Sequence, residues 1–147
     1  MRVFLYSMIP NYIPPNATAI LNEWLPLIYN QMKEEIRIRY LSRAEYVNVF
    51  FDELDDYSGR RILNIFFSCD AKGLIWFWTN CYTEATEYTA VNLAGIVVTV
   101  CDELVNRPGK INSFVTDTCA AARRSTHELV TGRFPGAFVV LCDLYSL

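Results

Sequence analysis

The stretch Glu45–Asn80, EYVNVFFDELDDYSGRRILNIFFSCDAKGLIWFWTN, decides the fold. It reads as three consecutive β-strands, Tyr46–Phe51, Arg61–Cys69 and Leu74–Thr79. Side chains alternate across a strand, so Val47, Val49 and Phe51 share one face while Tyr46 and Phe50 share the other. In the third strand Leu74, Trp76 and Trp78 point one way and Ile75 and Phe77 the other. A sheet wetted on one side would carry polar residues at every second position. These strands are apolar on both, so the sheet calls for cover on both faces, from its own helices or from another chain. Asp55–Gly59 supplies the first hairpin loop and Asp70–Gly73 a second tight turn, each with glycine where a positive φ is needed. The spacing Ser42-x-x-Glu45 matches a helix capping box, but Val47, Val49, Phe50 and Phe51 prefer a strand, and the strand is the reading adopted.

Upstream, Glu35–Leu41 alternates Ile, Arg, Ile, Arg, Tyr and predicts another strand. Before it, Ile20, Trp24, Ile28 and Met32 recur every four residues and predict a helix over about 17–33, capped by Asn16 or Thr18. Pro26 inside that pattern either kinks the helix or opens a second one. Arg2–Ser7 reads as an opening strand, and Ile9–Asn16, with three prolines, as a loop. Downstream, Val91, Ala94, Val98, Cys101 and Val105 fall at helical spacing and predict a helix over about 86–105, although Gly95–Val100 also fits a buried strand. A further helix is expected over about 110–130, from Ile111, Phe114, Val115, Cys119, Ala122 and Leu129, ending at Thr131-Gly132. Phe138–Leu144 is expected to be a central strand. The result is a single α+β domain, 1–147, with a mostly antiparallel sheet: a meander over about 36–80 plus terminal strands.

Composition narrows the function. Apolar residues make up 52% of the 147 and aromatics 14%, against a usual apolar share of about 45–50%, which favours a buried interface. A net charge of −3, with acids and bases interspersed, lacks the basic footprint of a nucleic-acid binder. Glu45, Asp52, Glu53, Asp55 and Asp56 make the first hairpin acidic, and Arg60–Arg61 and Arg123–Arg124 form small basic spots; all read as solvated faces. The five cysteines are scattered without CxxC spacing, which points to free thiols in a reducing, cytoplasmic setting and to no metal site. The longest uncharged run, Tyr88–Cys101, is too short for a bilayer span, which needs about 20 residues.

Catalytic groups are sparse. His127 is the one histidine, and no P-loop, GxGxxG or GxSxG motif occurs. Leu93–Val100 followed by Asn106-Arg107-Pro108-Gly109-Lys110-Ile111 and a helix resembles the acetyl-CoA-binding corner of the GCN5-related N-acetyltransferases. That resemblance implies an acyl-CoA pyrophosphate held at Gly109 and Lys110. A second alternative is single-stranded RNA binding, with sheet aromatics such as Phe66, Phe67, Trp76, Phe77 and Trp78 stacking bases beside Arg60–Arg61. The leading expectation is a non-enzymatic interaction or oligomerisation protein without cofactor, of the viral or phage accessory or matrix-like kind, binding itself or another protein. Its anchors would be Trp24, Trp76, Trp78, Arg123 and Arg124, since Trp and Arg dominate interface energetics.

Overall fold

The computed structural model describes residues 15–69, 73–83, 89–105 and 108–142. The chain divides into two compact units, one ending at Ile36 and one beginning at Arg37. In the first, Asn16 caps a helical turn, Ala17–Ala19, by accepting the Ala19 N–H at 2.7 Å. A π-helical stretch, Ile20–Trp24, follows and leads into helix α1, Leu25–Ile36. Pro26 explains the interruption: its ring cannot sit against an ordinary preceding turn and it brings no N–H to the ladder, so the wide turn falls just before it.

The second unit opens with another π-helical stretch, Arg37–Leu41, where a strand was expected. The burial shows why the alternation misled. Tyr40, Leu41 and Ala44 are buried or half-buried whereas Ile38 is 59% exposed, a helical and not a two-residue period.

Three antiparallel strands come next: β1, Val47–Asp55; β2, Arg61–Cys69; and β3, Ile75–Tyr82. The β1–β2 turn is held by Asp56, whose Oδ1 accepts the N–H groups of Ser58 and Arg60 at 2.8 and 2.9 Å. Those bonds, that from Arg60 first, keep the Asp56 carboxyl below its ordinary range. Gly59 takes φ 74° there and Gly73 φ 64° before β3, values that side chains other than glycine rarely adopt. The chain then forms helix α2, Ala90–Leu104; strand β4, Ile111–Asp117; helix α3, Ala120–Thr131; and strand β5, Phe138–Cys142.

The sheet order is β3-β2-β1-β4-β5. β4 runs parallel to β1, and β5 parallel to β4, so the sheet is mixed where a mostly antiparallel one was expected. Two further corrections follow. The expected helix over about 110–130 is a strand followed by a helix, because Ile111, Ser113, Phe114 and Thr116 are buried against the sheet while only Ala122, Ser125, Thr126 and Leu129 keep a helical period. β5 lies at the edge and not at the centre, with Phe138–Leu141 all exposed. Gly95–Val100 is helical: Leu93, Val97, Val100, Cys101 and Leu104 are buried at three- and four-residue spacing. The expected Arg2–Ser7 strand, the loop up to Pro14, Asp70–Lys72 and residues 86–88 of the expected helix lie outside the described residues.

One face of the sheet is fully buried, with Val47, Val49, Leu63, Ile65, Phe67 and Phe114 at 0% exposure under α2 and α3. Trp78 joins them, its Nε1–H donating to Glu103 Oε2 at 3.4 Å. Cys101 sits in this core, and burial, with the neighbouring Asp102 adding to it, pushes its thiol up to about 12. The sign of the pH effect follows. The unfolded thiol ionises near its ordinary 9.0 while the folded one keeps its proton, so the stability it contributes is complete below that value and declines as pH rises towards 12. Denaturation midpoints across pH 8–11 for the protein and Cys101→Ala check this: the alkaline decline should be shallower in the variant.

The opposite face is only partly covered by the chain's own described residues: Phe50, Phe66 and Val115 are half-buried, and Phe77 and Val140 are 47% and 49% exposed. A polar cluster fixes strand register there. Asn48 Oδ1 accepts from Asn112 Nδ2 at 2.9 Å and from Ser113 Oγ at 2.8 Å, while Asn48 Nδ2 donates to Ser68 Oγ at 3.2 Å. These bonds tie β2, β1 and β4 together at the bulge where the β1–β4 register shifts. Asn48→Ala strips two donors of their acceptor and should cost about 1–3 kcal/mol. Asn48→Asp, which keeps the acceptor, should cost clearly less in the same denaturation experiment.

Candidate active site

The parallel pairing of β1 and β4 brings together acids that the sequence separates. Phe50 is opposite Val115, and the same register carried two residues further sets Asp52 beside Asp117. Both side chains occupy the incompletely covered face, since positions two apart on a strand share a face. Asp52 is exposed and Asp117 half-buried. They line one cleft of about 440 Å³ whose wall is apolar: Phe50, Phe66, Val115 and Cys142. Asp117 also lines an adjoining cleft of about 520 Å³ with Glu53, Asp55, Arg61, Cys119 and the first residues of α3, Ala120 and Ala121.

This location has a topological reason. From β1 the chain turns to β2 and β3 on one side, then crosses to β4 on the other, so β1 and β4 flank the point where strand order reverses. In open sheets with parallel strands, ligands settle outside the carboxyl ends of the strands at such a point. Asp117 ends β4, and Asp52 lies three residues before the end of β1, just past the last paired residues of the two strands.

Local bonds hold Asp117 in place. Its Oδ1 accepts the Cys119 N–H at 3.2 Å, and the Cys119 thiol caps α3 by accepting the Ala122 N–H at 3.4 Å. The Cys119 thiol is raised above its ordinary range, by burial first and with the Asp117 carboxylate adding to it. Arg61 Nε lies 3.9 Å from Asp55 Oδ1, a loose surface pair. Among the described residues no three His, Cys, Asp or Glu side chains are grouped so as to hold a metal ion, so the carboxylate pair supplies only part of a coordination sphere.

The residues singled out from the sequence are dispersed. Trp24 is 48% exposed in the first unit. Trp76 is half-buried between Tyr40 and Phe67, with ring centroids at 4.8 and 5.4 Å, and Trp78 is 1% exposed. Gly109 and Lys110 belong to a single 3-10 turn, Pro108–Lys110, ahead of β4. Arg123 and Arg124 are exposed on α3. Sequence reasoning missed the acid pair: Asp52 passed as one of five hairpin charges, and Asp117 lay inside an expected helix. The usable signal for Asp52 was an acid directly after the strand formers Val47, Val49, Phe50 and Phe51.

No protein-family model and no curated protein matches the chain. Among solved structures it is similar to the crystal structure of the catalytic domain of Mos1 mariner transposase, at 14% identity and TM-score 0.41, over 92% of this chain and 67% of that one. That neighbour is a catalytic domain, and the expectation of a non-enzymatic interaction, accessory or matrix-like protein is not carried further. The alternatives fall on geometry. The acetyltransferase corner needs strand, loop, helix, but α2, a 3-10 turn and β4 occupy those positions. Of the rings the RNA-stacking reading names, Phe67 and Trp78 are core, Phe66 and Trp76 are half-buried, and Phe77 is 47% exposed, so these rings form no exposed platform. The five cysteines are free, and among the described residues no helix is long and apolar enough to cross a membrane.

Proposed function

We propose that this chain is a divalent-cation-dependent enzyme of phosphoryl transfer that cleaves or transfers phosphodiesters at Asp52 and Asp117. The observation that carries the reading is that these two carboxylates line one cleft, on adjacent parallel strands at the topological switch of the sheet. The donor set suits Mg²⁺, which is usually held through one or two carboxylates and completes its shell with water and substrate phosphate. Asp52 and Asp117 would hold the ion, which when bound supplies an activated water and neutralises charge on the phosphate. The rest is done by the chain itself. The Cys119 N–H orients Asp117. Arg61 and the amino end of α3, on the same cleft as Asp117, set positive potential where an anionic phosphate would lie. Phe50, Phe66 and Val115 give the cleft an apolar wall.

The test is cleavage of end-labelled single-stranded and duplex oligonucleotides, and of bis(p-nitrophenyl) phosphate, with Mg²⁺ or Mn²⁺ and with EDTA. Turnover that requires the metal and both carboxylates supports the reading. Turnover indifferent to EDTA, or unchanged by Asp52→Asn and Asp117→Asn, refutes it, as does no turnover at all.

A further inference from the structure

The exposed face of α3 leads away from the acidic pair and carries charge of the opposite sign. Ala120 and Ala121, at the start of the helix, line the cleft that Asp117 shares with Arg61. Arg123 and Arg124 follow one turn later and His127 one turn beyond, all exposed, while Ala122, Ser125, Thr126 and Leu129 are buried. At about 1.5 Å per residue, the stripe from Ala120 to His127 spans roughly 10 Å of helix. Neither arginine forms an ion pair among the described residues, whereas Arg60 and Arg133 are 2.7 and 3.2 Å from carboxylates. Glu128 is the one acid on this exposed stripe, four residues past Arg124.

From this placement we infer that Arg123 and Arg124 form a track for the phosphate backbone of a nucleic-acid strand, which passes from the first turns of α3 over the carboxyl-end rim of the sheet to Asp117 and then Asp52. The inference rests on the phosphodiester reading and extends it from a bond to a polymer. Charge complementarity identifies the occupant: two adjacent exposed arginines, one turn beyond the helix start that lines the cleft, match a repeating anion, and a small phosphodiester would reach the carboxylates without touching them. The net charge of −3 does not oppose this, because exposed charges beyond about 8–10 Å are largely screened at physiological salt.

The experiment measures binding of a fluorescein-labelled single-stranded 30-mer, and of its duplex, by anisotropy over a salt series, with Ca²⁺ present to neutralise the carboxylates. Arg123→Ala/Arg124→Ala should weaken binding and reduce the slope of log K against log salt by about 1.4 for the single strand, two contacts at about 0.7 each. Arg123→Lys/Arg124→Lys should keep most of the slope, since it keeps the charge. In turnover, the alanine pair should raise KM for oligonucleotide and leave bis(p-nitrophenyl) phosphate hydrolysis unchanged. An unaltered slope in a folded alanine pair, or no oligonucleotide binding by the unmodified protein, overturns the track. Loss of the slope with cleavage indifferent to Asp52 and Asp117 would instead leave the track standing and remove the catalytic reading.

Discussion

Asp117→Asn is expected to abolish metal-dependent phosphodiester cleavage, by at least about 10²-fold, the scale of losing one group that stabilises developing charge. Asparagine keeps the size of the side chain and an oxygen to accept the Cys119 N–H, so α3 should still start where it does. What it removes is the negative charge beside Asp52. Like charges on neighbouring strands repel, so thermal stability without metal should stay level or rise. Asp52→Asn should behave the same way. The diagnostic is the divergence of two readouts, cleavage rate and melting temperature. A variant that loses both would mark Asp117 as a structural residue of the β4–α3 junction.

The largest stability effect is expected at Phe67→Ala, about 3–5 kcal/mol, because truncating a fully buried aromatic forfeits its transfer free energy and leaves a cavity. Phe67 is 0% exposed, stacked on Trp76 at 5.4 Å and edge-on to Trp78 at 5.7 Å. Neither indole can move far into the gap. Trp76 also packs on Tyr40 at 4.8 Å, and Trp78 is anchored to Glu103. Against a typical total of about 5–15 kcal/mol, the loss should be plain in urea denaturation as a lower midpoint at constant slope. Its neighbour Phe66 faces the incompletely covered side, half-buried, with an edge contact to Phe77 at 5.5 Å. Phe66→Ala should cost less than half as much. Equal costs would mean that the second face is as well packed as the first.

The antiparallel half of the fold was legible because its signals are local. β2 occupies Arg61–Cys69 as expected, and the β1–β2 hairpin is written in an acid that can hold turn amides and a glycine that can take positive φ. The parallel half was not. Nothing near Ile111–Asp117 reports that its partner strand lies 64 residues earlier, and its apolar positions run smoothly into those of α3, so two elements passed for one helix. The same blindness hid the acid pair, which exists only through that pairing. Asn48 was equally silent in the sequence, a lone polar residue in an apolar strand whose bonds to Ser68, Asn112 and Ser113 appear only once three strands meet.

The crossing from β3 to β4 also sets when the carboxylates meet. The meander closes over short turns, whereas seating β4 beside β1 requires a long loop to close first, an entropic cost that slows non-local pairing. A chain caught with its hairpins formed and β4 undocked would hold Asp52 without its neighbour. On the proposed phosphodiester reading, half-folded copies would therefore be inactive, and activity would appear in refolding only once β4 is seated beside β1.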